Sequence, residues 1–88
     1  MNEKELEKEL KALANRRRLL IIKFLKKCHK ASVTEIAREI KLSFKSTSHH
    51  LAILFAADVV QREQQNLNAF YSLNSTTKAA TKHIVGMC

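Results

Sequence analysis

Cys28 and His29 stand side by side, as do His49 and His50, and His83 and Cys88 complete the thiols and imidazoles of the chain. A Cys/His pair supports nucleophilic catalysis only when a third group orients the base and donors stabilise the oxyanion. Neighbouring positions on a helix point apart, and neither an orienting residue nor an oxyanion hole accompanies Cys28 and His29, so no enzyme is expected. A metal site fares no better, because nothing nearby completes four ligands and a lone His83 is not a site. No metal or other cofactor is therefore expected. Hydrogen bonding and charge are what these side chains have left to offer.

Charge is plentiful. The 88 residues hold 16 Lys and Arg against 8 Asp and Glu, a net charge of +8. A surplus of that size suits a polyanion, nucleic acid first, although solubility alone is the plainer account. The excess is uneven: Arg16, Arg17, Arg18, Lys23, Lys26, Lys27 and Lys30 fall in a stretch with no acid between Glu9 and Glu35. Hydrophobic residues at 45% suffice for one small core and exclude a disordered tail. So small a core favours a homodimer that shares it. Without proline, and with Gly86 as the one glycine, the chain lacks the turn chemistry of sandwiches and barrels. Two cysteines are too few for a disulfide scaffold. The charged start Met1-Asn2-Glu3-Lys4-Glu5 does not resemble a signal peptide. No apolar run, Leu19 to Ile22 included, approaches the roughly 20 residues of a membrane span. A cytoplasmic protein with no membrane partner is the expectation.

The elements that must position these residues are mainly helical. Leu6, Leu10 and Leu13 make a one-sided stripe on a helix over 3–13, with Glu3, Glu5, Glu7 and Glu9 placed early to suit its dipole. Asn15 caps a second helix over 16–28, whose apolar set is Leu19, Ile21, Ile22, Phe24 and Leu25. Residues 29–32 form a break. Ser32-Val33-Thr34-Glu35 fits a capping box that opens a third helix over 33–40. Only Lys41 and Leu42 separate it from Ser43, the cap of a fourth helix over 44–56, and that tight pair is a helix-turn-helix. Val59 to Glu63 and Ala69 to Leu73 read as a β-hairpin with Asn66 at its tip. A cap at Asn74 or Ser75 opens a last helix over 75–86, with Thr77, Ala80, Ile84 and Met87 on its apolar face. The order predicts a single winged helix-turn-helix domain, mainly α with a small hairpin wing.

The stretch Leu42-Ser43-Phe44-Lys45-Ser46-Thr47-Ser48-His49-His50-Leu51, followed by Leu54, resembles the recognition segment of the arsenic-repressor (ArsR/SmtB) family of transcriptional repressors. Leu10-Lys11-Ala12-Leu13-Ala14-Asn15, with Arg18, Leu19 and Ile21, and the wing from Val60 to Leu73 with its Phe70-Tyr71 pair are similar to two further family stretches. The resemblance spans about residues 8–74. It implies a homodimer, paired through its first and last helices, that binds double-stranded DNA at a palindromic operator and blocks transcription. Phe44, Lys45, Ser48 and His49 hold the positions that reach DNA in the family. Phe44 departs from the polar residue usual there and either meets a thymine methyl or packs inward. Ser43 is expected to cap, Ser46 either to contact DNA or to be solvated on the helix surface, and His50 to be structural. The wing carries Arg62 as its one basic residue, with Gln64 and Asn66 as further contacts, where family wings are usually rich in arginine.

The family's best-known metal site is a Cys-x-Cys whose positions here are Ser32 and Thr34, so that site is missing. Other members switch through one cysteine on the second helix and one on the last. Cys28 and Cys88 have a similar arrangement, though Cys28 lies beyond the position those members use. Lys26, Lys27 and Lys30 give Cys28 a cationic setting of the kind that activates a thiol. Oxidation that alters DNA affinity is thus an expectation, against two incidental thiols. The competing classes are a protein–protein module built on the winged fold and a nonspecific DNA binder. A steep salt dependence of duplex binding separates DNA from a protein partner.

Overall fold

The structure, a computed structural model, describes residues 2–75 and 78–88. Its elements are α1 (Glu3–Leu13), α2 (Arg16–Cys28), β1 (Ala31–Ser32), α3 (Val33–Ile40), α4 (Phe44–Ala56), β2 (Val60–Gln65), β3 (Asn68–Leu73) and α5 (Ala79–Met87). The first four helices stand where caps and apolar spacing put them. Asn2, Asn15, Ser32 and Ser43 each hold extended backbone, and each side-chain oxygen accepts the amide three residues on. Such a cap contributes about 1 kcal/mol. The ends are equally local. Lys41 and Asp58 take left-handed φ of 56° and 61° after α3 and α4. The Leu42 amide then donates to the Ala37 carbonyl, and the Val59 amide to the Leu54 carbonyl, each at 3.0 Å, the long bond of a Schellman turn.

The core lies where α2, α3 and α4 meet the base of the hairpin. Ile21, Ile22, Leu25, Ile36, Leu51, Leu54, Val59 and Val60 are sealed from solvent there. The sheet is antiparallel with strand order β1-β3-β2. The hairpin differs from expectation in detail. Its strands run to Gln65 and from Asn68, which leaves a two-residue tip with Asn66 left-handed at φ 56°. Residues 31 and 32 are also more than a break: Ala31 pairs with Tyr71 and Ser32 with Phe70. Two residues carry no detectable period, and the free edge of β3 recruits them.

The largest correction concerns α5. It begins at Ala79 rather than near 75, and its cap position is Lys78, which makes no side-chain cap bond. Asn74 instead closes the hairpin base, its amide donating to the Val59 carbonyl at 3.0 Å. The acceptor for α5 comes from α1. Glu9 is fully buried, and its Oε2 accepts the Thr81 amide at 2.9 Å and also the Thr81 hydroxyl. A carboxylate at the third residue of a helix does the work of a cap and suits the dipole. Glu9 therefore serves α5 and not the start of its own helix. On α5 the buried residue is Thr81, Ala80 and Ile84 are half-buried, and Met87 is 73% exposed. Thr77 lies outside the described residues.

Candidate nucleic-acid interface

Two local devices aim α4. At its start, Ser43 Oγ accepts the Ser46 amide at 3.0 Å. One element earlier, Ser32 Oγ accepts the Glu35 amide at 3.2 Å while Glu35 Oε1 accepts the Ser32 amide at 2.9 Å. Those bonds to the carboxylate hold the Glu35 pKa below its ordinary value. The inner side of α4 is fixed by Thr47, Leu51 and Leu54, all fully buried. The opposite side carries the readable groups. Lys45 and His49, four residues apart, are exposed on one face, and Ser46 and Ser48 are half-buried. Phe44 is 60% exposed, so it points outward and does not pack into the core. α4 carries no acid, so its amide-rich N-terminal end and Lys45 together present positive potential.

The wing approaches the same end of α4. Phe44, Thr34, Arg62, Gln64 and Leu67 line one shallow cleft of about 200 Å³. Strand alternation puts Arg62 and Gln64 on one face and Gln61, Glu63 and Gln65 on the other. On the first face Arg62 Nη2 donates to Gln64 Oε1 at 3.1 Å, and Gln64 Nε2 donates to the Asn66 carbonyl at 3.2 Å. On the second, Lys30 Nζ meets Glu63 Oε2 at 2.9 Å and Gln65 Nε2 donates to Glu63 Oε1 at 3.1 Å. The hydrogen bond from Lys30, with that from Gln65, lowers the Glu63 pKa. The wing's acid is thus neutralised and turned away from Arg62.

His50 points elsewhere than His49. Its Nδ1 lies 3.2 Å from Nη1 of Arg18, whose Nε and Nη2 donate to the carbonyls of Ala12 and Lys11. Arg18 is therefore engaged inside the fold, whereas Arg16 and Arg17 remain exposed. The two thiols are free and half-buried against the core. Of the lysines around Cys28, Lys26 is bound to the Val85 carbonyl at 3.0 Å and Lys30 to Glu63. Cys88 lines an apolar cleft with Leu10, Leu13, Leu19, Ile84 and Met87. Ser32, at the first family thiolate position, is the α3 cap, and Thr34 is exposed. Among the described residues, no three His, Cys, Asp or Glu side chains gather in a metal-binding group, and no helix is long and apolar enough to cross a membrane. Sequence spacing could not reveal the Glu9–Thr81 and Arg18–His50 contacts, because their partners lie 72 and 32 residues apart.

A family model described as "Bacterial regulatory protein, arsR family" matches residues 15–62, more than half of the chain and the whole of α2 through α4. The chain belongs to the arsR family. This arsR-family chain is 37% identical over 83 residues to the transcriptional activator HlyU of Vibrio cholerae, covering 86% of the chain and 76% of HlyU. A solved structure of HlyU superposes with a TM-score of 0.82 at 31% identity over 99% of this chain and 92% of that one. NolR of Sinorhizobium fredii follows with 0.81 at 28% identity (96% and 80% covered), and the transcriptional repressor PagR of Bacillus anthracis with 0.78 at 27% (96% and 92%). The arsR-family chain is a DNA-binding transcriptional regulator with the winged helix-turn-helix fold.

Proposed function

We propose that this regulator is a homodimeric repressor that binds a palindromic operator. The first turns of α4 enter the major groove, where Lys45 donates to guanine or phosphate, Ser46, Ser48 and His49 reach base edges or backbone, and Phe44 meets a thymine methyl. Arg62 and Gln64 follow along the flanking backbone. The observation that carries this reading is the outward display of Phe44, Lys45 and His49 beside the Arg62–Gln64 face of the wing. A second copy is the natural cover for the other end of the molecule. Leu6 and Leu10 of α1 and Met87 of α5 are exposed there, continuous with the cleft over Leu13, Leu19 and Ile84. Two-fold pairing through α1 and α5 would present two copies of α4, the symmetry that a palindrome shares. Oxidation of Cys28 and Cys88 is proposed to modulate the affinity. The name of HlyU favours a second reading in which the bound regulator activates.

The test is a selection from random duplex DNA, read at two salt concentrations, with sedimentation of the free protein. A dimer and a palindrome whose half-sites lie about one helical turn apart are expected. A pool without a motif but with steep salt dependence leaves a nonspecific binder, and no retention at low salt favours a protein partner. A reporter driven from the selected site then reads repression or activation directly.

A further inference from the structure

Arg18 is the one residue of the basic run Arg16-Arg17-Arg18 that folds inward, and its guanidinium serves three acceptors. Nε donates to the Ala12 carbonyl at 2.6 Å and Nη2 to the Lys11 carbonyl at 3.0 Å. Both belong to the last turn of α1, whose carbonyls have no partner within the helix. Nη1 faces Nδ1 of His50 at 3.2 Å, midway along α4. A rigid fork thus pins the end of α1 and the body of α4 to the start of α2, a geometry that lysine cannot reproduce.

The fork also dictates the state of His50. A guanidinium keeps its protons and can only donate, so Nδ1 has to accept and the imidazole is neutral with its proton on Nε2. The surroundings agree. Burial comes first, and then Arg18, His49 and Arg17, all cationic or able to become so, hold the His50 pKa below its ordinary value. No carboxylate of α1, α3 or β2, the other elements against α4, offsets them. A proton taken from solvent would set N–H against N–H.

We propose that Arg18 is a positioning residue for DNA reading: through His50 it fixes α4 to the end of α1, and a proton on His50 opens the link and weakens operator binding. This rests on the reading of α4 as the DNA-reading helix. It makes the regulator's affinity fall with acid, although the protein's overall positive charge rises, which by phosphate attraction alone would do the opposite.

The test titrates the selected operator at fixed salt from about pH 7.5 to about pH 5, across the imidazole range. The unmodified protein is compared with His50→Asn, whose amide oxygen can accept from Arg18 in place of Nδ1 but does not titrate, and whatever His49 contributes is common to the two. Acid is expected to weaken the unmodified protein by roughly tenfold relative to His50→Asn, the scale of one charge-assisted hydrogen bond. Nitrogen NMR of the imidazoles in the unmodified protein is a second readout, independent of DNA. His50 is expected as the Nε2–H tautomer, titrating below the ordinary histidine range. An equal acid response in the two proteins, or an Nδ1–H tautomer, overturns the proposal. Specific binding with that equal response overturns this proposal alone, whereas failure of unmodified protein to select any operator removes the reading of α4 and this proposal with it.

Discussion

The recognition helix and the wing meet at one cleft but are held in opposite ways. α4 is anchored by fully buried Thr47, Leu51 and Leu54, capped by Ser43, closed by left-handed Asp58 and braced by Arg18. Every wing residue from Gln61 to Asn68 is exposed, and its side chains hold one another through surface bonds among Arg62, Gln64 and Asn66 and between Lys30 and Glu63. On the proposed reading, rigid anchoring would hold Lys45 and His49 in place before DNA arrives and lower the ordering cost of base contacts. A wing tied by exposed polar bonds can adjust to the backbone, and backbone contacts need charge more than exact placement. The proposed function accordingly gives base discrimination to α4, and salt-dependent attraction to the wing and the basic surface.

The contrast is tested first through stability. Leu51→Ala empties a fully buried site and is expected to cost about 2–5 kcal/mol, whereas Leu67→Ala, at a tip residue 97% exposed, is expected to stay within about 0.5 kcal/mol. Thermal melts with equal losses would dissolve the distinction. DNA binding comes next. If Lys45 contacts guanine, Lys45→Ala should cost about 1–3 kcal/mol and relax preference at one operator position. Arg62→Ala should weaken all sequences alike and reduce the salt slope by about 1. The reverse pattern in competition assays would exchange the two roles. A smaller effect belongs to the cap: Ser43→Ala should lower stability by about 1 kcal/mol and destabilise the start of α4, read as faster amide exchange at Ser46.

Acid sharpens the comparison further, through groups whose folded pKa is lowered. For His50, the unfolded chain binds the proton more readily. Its stabilising contribution is therefore complete above the ordinary imidazole pKa, roughly 6.5, and is lost as pH falls toward the lower folded value. Glu35 and Glu63 are lowered as well, so their contributions are complete above roughly pH 4.5 and are lost only as pH falls through their folded values. Melts over this range should thus show a first decline that His50→Asn removes. A second decline, in stronger acid, should be reduced by Glu35→Gln, with Glu63→Gln changing it least, since exposed pairs contribute little. Smallest of all is the thiol effect. A Cys28→Ser, Cys88→Ser protein that responds to oxidant as the unmodified chain does would remove the cysteines from regulation.

Four helices, the tight turn between α3 and α4 and the hairpin were legible because their causes are local. An Asn or Ser oxygen reaches an amide three residues away, and apolar residues at helical spacing declare which side is buried. The candidate set on α4 came instead from the resemblance of Ser43 to Leu51 to a family segment, and of that set Lys45 and His49 are exposed while Ser46 and Ser48 are half-buried. The placement of Phe44 was not legible, since outward and inward placements are equally compatible with its position, and only the folded chain shows it 60% exposed beside the wing. The sequence by itself determined where these helices start and which faces α2 and α3 bury, but not that of α1, which buries Glu9, Ala12 and Leu13 and leaves Leu6 and Leu10 of its apolar stripe exposed. Tertiary structure alone decided that α5 begins at Ala79 under the carboxylate of Glu9, that Ala31 and Ser32 join β3, and that Arg18 meets His50. Those choices depend on groups brought together from distant parts of the chain, where burial makes an unmatched donor or acceptor costly and selects the partner that spacing cannot name.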